Sequence, residues 1–129
     1  MDKPAETQFP LHDLLTQRWS PRAFSEQPVG PDMLLTLLEA ARWAPSSSNE
    51  QPWRFVVATK DQPVEYDRLL TCLLEGNRKW AYRAPVLILS VAHLNFEDDD
   101  RPNRHALHDV GLATENLLLQ ATAFGLVAH

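Results

Sequence analysis

The sequence predicts an α+β or α/β fold in which helices wrap a mixed central sheet. Segments with the helical spacing of apolar residues alternate along the 129-residue chain with short, nearly continuous apolar runs. The order of these segments is helix, helix, strand, helix, strand, helix, strand. Neither an internal repeat nor a linker rich in Gly, Ser or Pro interrupts this order, so residues 1–129 are interpreted as one domain.

Two helices are predicted before the first strand. The first covers residues 11–17, and the second covers about residues 31–43 with Pro31 at its first helical position. Residues 44–49 are rich in Ser, Asn and Pro, which favour turns, and are interpreted as a structured loop. Residues 53–59 follow as a strand.

The middle of the chain predicts a third helix and a buried strand. The helix covers about residues 63–75 and meets Gly76 at its end, which places Asn77 just past a helix. Residues 85–92 form an almost continuously apolar run, which is typical of a central strand covered on both faces by helices.

The last part of the chain predicts a loop, a long helix and the start of another strand. Residues 95–103 are acidic with little to bury, so we expect a solvated, mobile loop. The helix covers residues 104–124, with Gly125 just beyond its end, and residues 126–129 begin the strand. The apolar helix face suits a domain centre or a dimer interface; it comprises Leu107, Val110, Gly111, Thr114, Leu117, Leu118 and Ala121.

Composition and charge exclude several classes of protein. The hydrophobic fraction of 44% and the charged fraction of 22% are those of a soluble globular protein rather than a disordered one. A net charge of −5 argues against broad attraction to nucleic acid or an anionic membrane. Cys72 is the only cysteine and the N-terminus lacks the apolar stretch of a signal peptide, so we expect a cytoplasmic protein without a membrane span.

The first candidate binding motif lies in the loop after the first helix. Arg18, Ser20 and Arg22 alternate there, so one wall of the loop offers two guanidinium groups and a hydroxyl. Guanidinium groups match phosphate oxygens or the carbonyl edge of a flavin in a bidentate geometry. The alternative is two exposed arginines in a turn, because this short pattern is common.

The second candidate motif is the polar stretch 45–53, which joins a helix end to a strand. Small residues let a planar ligand approach the backbone closely, and Ser, Asn and Gln supply uncharged donors and acceptors. The alternative is a polar loop without a ligand.

The order and spacing of these motifs resemble those of nitroreductase-family flavoproteins, from about residue 11 to the end of the chain. The most diagnostic stretch is the Ser-rich motif that ends in Gln51-Pro52-Trp53. The other matching motifs are Arg18-x-Ser20-x-Arg22, Glu39-Ala40-Ala41-Arg42-Trp43-Ala44, Asn77 before Trp80-Ala81-x-x-Ala84-Pro85, Asn116-Leu117-Leu118-Leu119-Gln120-Ala121, and Gly125-Leu126.

The resemblance implies a nitroreductase-like fold with an FMN site, and it implies a role for each residue that matches a motif. Arg18 is expected to meet the FMN phosphate, and Ser20 the phosphate or the ribityl chain. Arg22 is expected at the pyrimidine side of the flavin ring, and Asn77 at its polar edge.

The resemblance also implies a homodimer, because sites of this family lie at a subunit interface. Pro45, Ser46 and Ser47 are therefore expected to reach the FMN of the partner subunit. Asn49 and Gln51 are expected to shape the same wall.

The implied activity is that of an FMN-dependent oxidoreductase, in which the flavin carries the redox step and no catalytic side chain is required. NADH or NADPH would supply electrons to an organic acceptor such as a nitroaromatic or a quinone, with ping-pong kinetics. Family members continue well beyond a pair such as Gly125-Leu126, so the chain is interpreted as the N-terminal two thirds of the family domain. The alternatives are a non-catalytic dimerising remnant and an anion- or nucleotide-binding module without redox turnover.

Two further motifs are weaker candidates for metal sites. His105 and His108 share a predicted helix face next to Asp109, but no third ligand is evident. The acidic run 97–100 lacks the alternating pattern of a calcium loop. We therefore predict no metal.

Overall fold

The structure, a computed structural model, describes residues 3–129 and confirms the mixed helix and strand class. The elements are α1 (Asp13–Gln17), α2 (Pro31–Arg42), β1 (Trp53–Thr59), α3 (Pro63–Thr71), α4 (Glu75–Ala81), β2 (Val86–Ala92) and α5 (Ala106–Ala123). No helix within residues 3–129 combines the length and the apolar character needed to cross a bilayer.

The main hydrophobic core lies where α2 and α5 pack against one face of the sheet. Ala41 and Ala113 are fully buried there, and such small side chains let two helices approach closely. Leu117 of α5 and Trp53 of β1 belong to the same cluster. The predicted apolar face of α5 is wrong at Leu107, which is 72% exposed, and at Gly111, which is also exposed, because α2 packs against the adjacent face with Val110 and Ala113.

The strands β1 and β2 form an antiparallel pair, with Trp53 opposite Ala92 and Thr59 opposite Val86. Their inner face packs on the core, but the outer face of β2 is only partly covered. Leu89 and Val91 on that face are exposed. The prediction of a strand buried on both faces is therefore wrong, because a run of apolar residues does not reveal how much of its second face other elements cover.

A helix break corrects the prediction for residues 63–77. The helix α3 ends at Thr71, and α4 begins at Glu75, so Gly76 and Asn77 lie in the first turn of α4 rather than after a helix. The carbonyl of Leu74 accepts the N–H groups of Asn77 and Arg78 at 2.9 and 3.0 Å. Gly76 therefore sits near a helix start, although its position in the sequence favoured a helix end.

The end of α5 matches its predicted signal, whereas the strand predicted after it does not form. Gly125 has a φ of +72°, and its N–H donates to the Thr122 carbonyl while the Leu126 N–H donates to the Ala121 carbonyl. This pair of bonds is a Schellman motif. Residues 126–129 have no strand partner among the described residues, so they carry no ladder hydrogen bonds.

The acidic loop expected to be solvated and mobile has several internal hydrogen bonds. Asn95 pairs with Pro102 in an isolated bridge, and the N–H of Phe96 donates to the carbonyl of Arg101 at 2.8 Å. The guanidinium of Arg101 also lies 4.8 Å from the Phe96 ring centre. The loop is exposed, as predicted, but it has a defined fold.

Tyr66 ties α3 to the turn between α4 and β2. Its buried hydroxyl lies 2.5 Å from the Ala84 carbonyl and 3.2 Å from the Tyr82 carbonyl. We expect Tyr66→Phe to lower the free energy of unfolding by about 1–2 kcal/mol, because a buried hydrogen bond is lost. Urea denaturation of this variant beside the exposed Tyr82→Phe checks the prediction; equal losses in both variants would contradict it.

Tyr66 also predicts how stability falls in base. Burial, with a smaller effect of the Asp67 charge, raises the pKa of the Tyr66 phenol above its ordinary value near 10. A raised pKa in the folded state favours unfolding once the unfolded phenol ionises. Its stabilising contribution is therefore complete below about pH 10 and is lost as the pH rises through the folded pKa. Tyr66→Phe should lack this alkaline component when unfolding is followed between about pH 8 and pH 11.

Candidate functional site

The arginine loop begins where α1 ends. Arg18 is the C-cap residue of α1, and its backbone N–H donates to the Leu14 carbonyl at 3.2 Å. This position directs the half-buried side chain toward Ser20, and Arg18 Nη1 donates to Ser20 Oγ at 3.4 Å. The structure therefore brings together a guanidinium and a hydroxyl, for both of which the resemblance implies contact with FMN.

Arg22 contacts a different part of the protein. Its guanidinium carbon lies 5.8 Å from the ring centre of Trp80 in α4, within the range of a cation–π interaction. Phe24 stacks on the same ring at 6.2 Å, and the ring of His129 lies 4.4 Å away. An aromatic cluster thus supports the exposed Arg22 side chain.

Asn77 lies on the same helix as Trp80, one turn earlier, so both residues occupy one side of α4. Both line a cavity of about 810 Å³, whose wall also includes residues of α2, α3, β2 and the end of α5, together with residues 24–29 and 124–129. Apolar side chains from these elements form most of its wall. Arg22 therefore contacts the helix that carries Asn77, although the sequence places the two residues in separate motifs.

The Ser-rich loop has an unusual backbone. A short 3₁₀ turn, Ser47–Asn49, follows Pro45 and Ser46, and Ser48, Asn49 and Gln51 all have positive φ angles between 52° and 57°. Non-glycine residues adopt this left-handed region at a cost, and such residues cluster at functional sites.

Side-chain hydrogen bonds hold this backbone in place. Ser46 Oγ accepts the Gln51 N–H at 3.1 Å, and Gln51 Nε2 donates to Asn49 Oδ1 at 3.1 Å. Asp109 Oδ2 accepts the Ser47 N–H at 2.9 Å. In the sequence, Asp109 stands out only as a neighbour of two histidines. The signal it missed was a carboxylate at helical spacing among the buried residues Ala106, Val110 and Ala113.

A shallow cavity of about 500 Å³ lies beside the Ser-rich loop. Asn49 and Gln51 line it, and Arg54 donates to the Gln51 carbonyl at 3.1 Å and to Glu97 at 2.6 Å. Glu50 accepts the Glu97 N–H at 2.7 Å. The acidic loop therefore contacts the far end of the Ser-rich loop.

The nine predicted site residues occupy three places in one protomer: the arginine loop, α4 with Arg22 beside it, and the Ser-rich loop. Within residues 3–129, no hydrogen bond joins the Ser-rich loop to Arg18, Arg22 or Asn77. In the candidate metal pair His105 and His108, Nε2 of His105 accepts a hydrogen bond from Arg104 Nε at 3.3 Å. This nitrogen is therefore not free to bind a metal. No group of three or more His, Cys, Asp or Glu side chains in the described range could hold a metal ion.

Several of the known proteins that this chain is similar to are nitroreductases. Residues 15–77 match the model of the Nitroreductase family. Nitrobenzene nitroreductase of Ectopseudomonas oleovorans is 42% identical over 53% of this chain and 29% of its own length. A protein of Stenotrophomonas maltophilia named as an NADH dehydrogenase/NAD(P)H nitroreductase is 29% identical over 92% of this chain and 68% of its own length.

Solved structures share the fold over nearly the whole chain. An oxidoreductase described as containing FMN superposes with a TM-score of 0.85 and 41% identity, covering 93% of this chain and 62% of that one. A protein of Desulfovibrio desulfuricans described as a nitroreductase in complex with FMN gives a TM-score of 0.72 and 30% identity, covering 92% and 65%. The chain spans less than two thirds of the length of these two structures and less than a third of the nitrobenzene nitroreductase. The family-model match over residues 15–77, the named relatives and the shared fold show that the chain is similar to proteins of the nitroreductase family and has their fold.

Proposed function

We propose that this chain binds FMN and forms part of an oxidoreductase that passes electrons from NAD(P)H to a small organic acceptor. The observation that carries the proposal is the contact between Arg18 and Ser20 at the end of α1, in a chain that shares its fold with FMN-containing relatives. A guanidinium and a hydroxyl on one wall suit a terminal phosphate, which offers several acceptor oxygens. We also propose that residues 1–129 act as one domain, because one core cluster joins α2, β1 and α5.

The remaining donors fit a flavin in their chemistry. Arg22 is a permanent cation, and Asn77 offers both a donor and an acceptor, as required at the polar edge of the ring. The Ser-rich loop adds the backbone and side-chain polar groups of Pro45, Ser46 and Ser47, for which we propose contact with the FMN of a partner subunit. Asn49 and Gln51 complete this wall. We propose that the site is built from two copies, in which the Ser-rich loop of one protomer faces the FMN held by Arg18 of the other.

When bound, FMN would supply the redox chemistry by accepting electrons from the nicotinamide and passing them to the acceptor. The protein would bind the phosphate through Arg18 and Ser20 and place a positive charge near the ring through Arg22. Nitroaromatics and quinones are the acceptors we propose. Donor and acceptor would use one pocket in turn, which predicts ping-pong kinetics.

A homodimer is the assembly that we propose, and the exposed apolar surface supports it. Trp43 at the end of α2 and Leu107 at the start of α5 are 76% and 72% exposed, and Leu35 is also exposed. Large apolar side chains on a monomer surface favour burial against a partner. A cytoplasmic location stays a prediction from the lone Cys72.

The dimer predicts a concentration-dependent sedimentation coefficient. We expect the wild-type chain to sediment as a dimer at micromolar concentration, and Trp43→Glu to shift it toward the monomer, because a buried charge without a partner is costly. Asp32→Asn, which alters an exposed side chain at the opposite end of the same helix, serves as the control. A folded wild-type monomer at that concentration would contradict the proposed assembly.

The visible spectrum of the purified protein tests the proposed function. After FMN is added, the protein should show the absorption band of a bound flavin at about 450 nm, and NADPH added under anaerobic conditions should bleach this band. A folded protein that binds no FMN would overturn the proposal in favour of a non-catalytic remnant. Binding without bleaching by either nicotinamide would favour a nucleotide-binding module.

A further inference from the structure

Asp109 is a buried acidic side chain that the proposed binding residues do not include. It lies in the first turn of α5 and is 3% exposed. An ionised carboxylate is costly to bury unless other groups compensate it. No ion pair within residues 3–129 includes Asp109.

The partner of this carboxylate is the backbone of the Ser-rich loop. Asp109 Oδ2 accepts the Ser47 N–H at 2.9 Å across 62 residues of sequence. A carboxylate that accepts a backbone N–H forms a stronger bond than a neutral acceptor does. The start of α5 adds the positive end of a helix dipole near the same charge. The contact therefore fixes one defined amide of the loop relative to the core helix.

The loop needs such an anchor because its backbone conformation is strained. Ser48, Asn49 and Gln51 have positive φ angles within four residues, which persists only when the surroundings enforce it. The hydrogen bond from Gln51 N–H to Ser46 Oγ closes the loop on itself, but it does not attach the loop to the rest of the protein. The Ser47 amide, held by Asp109, makes that attachment on the buried side.

We propose that Asp109 is a positioning residue that holds residues 46–51 in the conformation in which they bind flavin. This inference rests on the proposed function for the identity of the ligand. Asp109 does not touch the ligand itself. It acts through Ser47, whose amide it fixes at the point where the strained segment begins.

Three variants separate this role from a general contribution to stability. Asp109→Ala removes the acceptor, and Asp109→Asn keeps an oxygen of similar shape without the charge. Ala113→Gly is the matched control, because it destabilises α5 at a fully buried position without removing the loop contact. Amide hydrogen exchange is measured on each FMN-free protein, and FMN affinity is measured separately by fluorescence titration.

We expect the amides of residues 47–51 to exchange about 10- to 100-fold faster in Asp109→Ala than in wild type, with a smaller local increase in Asp109→Asn. The FMN dissociation constant should rise by about tenfold in Asp109→Ala and by less in Asp109→Asn. In Ala113→Gly, exchange should rise most in α5, and FMN affinity should change by less than about threefold. If Asp109→Ala does not fold, the local increase in Asp109→Asn decides the matter.

Unchanged loop exchange in the FMN-free Asp109 variants would overturn the proposal, whatever their FMN affinity. Faster loop exchange with wild-type FMN affinity would also overturn it, because the loop order would then not serve binding. A wild-type protein that binds no FMN overturns the proposed function, and with it the role of Asp109 in binding. In that case, the difference in loop exchange between wild type and the FMN-free Asp109 variants still shows whether Asp109 orders the loop.

Discussion

Arg22→Ala is expected to slow the reduction of the FMN-loaded protein by NADPH by about 10- to 100-fold. Reduction places negative charge at the pyrimidine side of a flavin, and a fixed cation there favours the charged state. Arg22 suits this task because the aromatic cluster around Trp80 supports its guanidinium at 5.8 Å. Because Arg22 is exposed to water, which weakens its electrostatic effect, we expect a smaller loss of rate than for a charge removed from a dry site.

The same substitution should lower the reduction potential of the bound flavin, because the uncompensated charge makes reduction less favourable. Stopped-flow mixing with NADPH under anaerobic conditions and potentiometric titration measure the two effects. Arg22→Lys keeps the positive charge and should retain most of the rate. Arg68→Ala removes an exposed arginine that pairs with Glu65 on α3, and should change neither quantity. A wild-type half-reaction rate in Arg22→Ala would withdraw the role assigned to this residue.

Local signals allowed much of the fold to be predicted from the sequence. The bounds predicted for β1 are those observed, and α2 begins at Pro31, because the fixed φ of proline favours the first turn of a helix. The predicted end of α5 is confirmed by the positive φ of Gly125. Each of these signals depends on one or two neighbouring residues, so it can be recognised without knowledge of the tertiary structure.

The errors arose where distant packing decides the structure. The residues between Thr71 and Glu75 do not distinguish one helix from two. The hydroxyl of Tyr66 in α3 donates to the carbonyl of Ala84, which follows α4 and lies 18 residues away in the sequence. The exposure of Leu89 and Val91 depends on which elements cover the sheet, which hydropathy does not report.

The same distinction between local signals and distant contacts applies to the candidate site. The alternation of Arg18 and Ser20 predicted their proximity, and the structure shows the contact. The contact of Arg22 with Trp80 and the contact of Asp109 with Ser47 join segments that are far apart in sequence, so only the fold shows them. The ligand contacts of these residues stay predictions.

Arg18→Ala is expected to raise the FMN dissociation constant by about 10- to 100-fold and to leave the spectrum and reduction rate of the bound flavin unchanged. A charge-assisted contact to phosphate contributes about 1.5–3 kcal/mol, and the phosphate is remote from the ring. The backbone N–H of residue 18 still reaches the Leu14 carbonyl in the variant, so α1 keeps its end and the loss is confined to the side chain.

Titration of FMN into the apo protein measures this effect, and two further variants calibrate it. Ser20→Ala removes the uncharged hydroxyl that Arg18 contacts at 3.4 Å and should weaken binding by only about two- to tenfold, because the Arg18 cation beside the phosphate is kept. Arg68→Ala removes an equal charge from α3 and separates a specific contact from a change in net charge. Raising the salt concentration should reduce the difference between wild type and Arg18→Ala, since screening weakens the ion pair with phosphate. Equal dissociation constants for wild type and Arg18→Ala would show that the loop after α1 does not bind the phosphate, whereas a loss of affinity confined to Arg18→Ala and Ser20→Ala identifies that loop as the phosphate site.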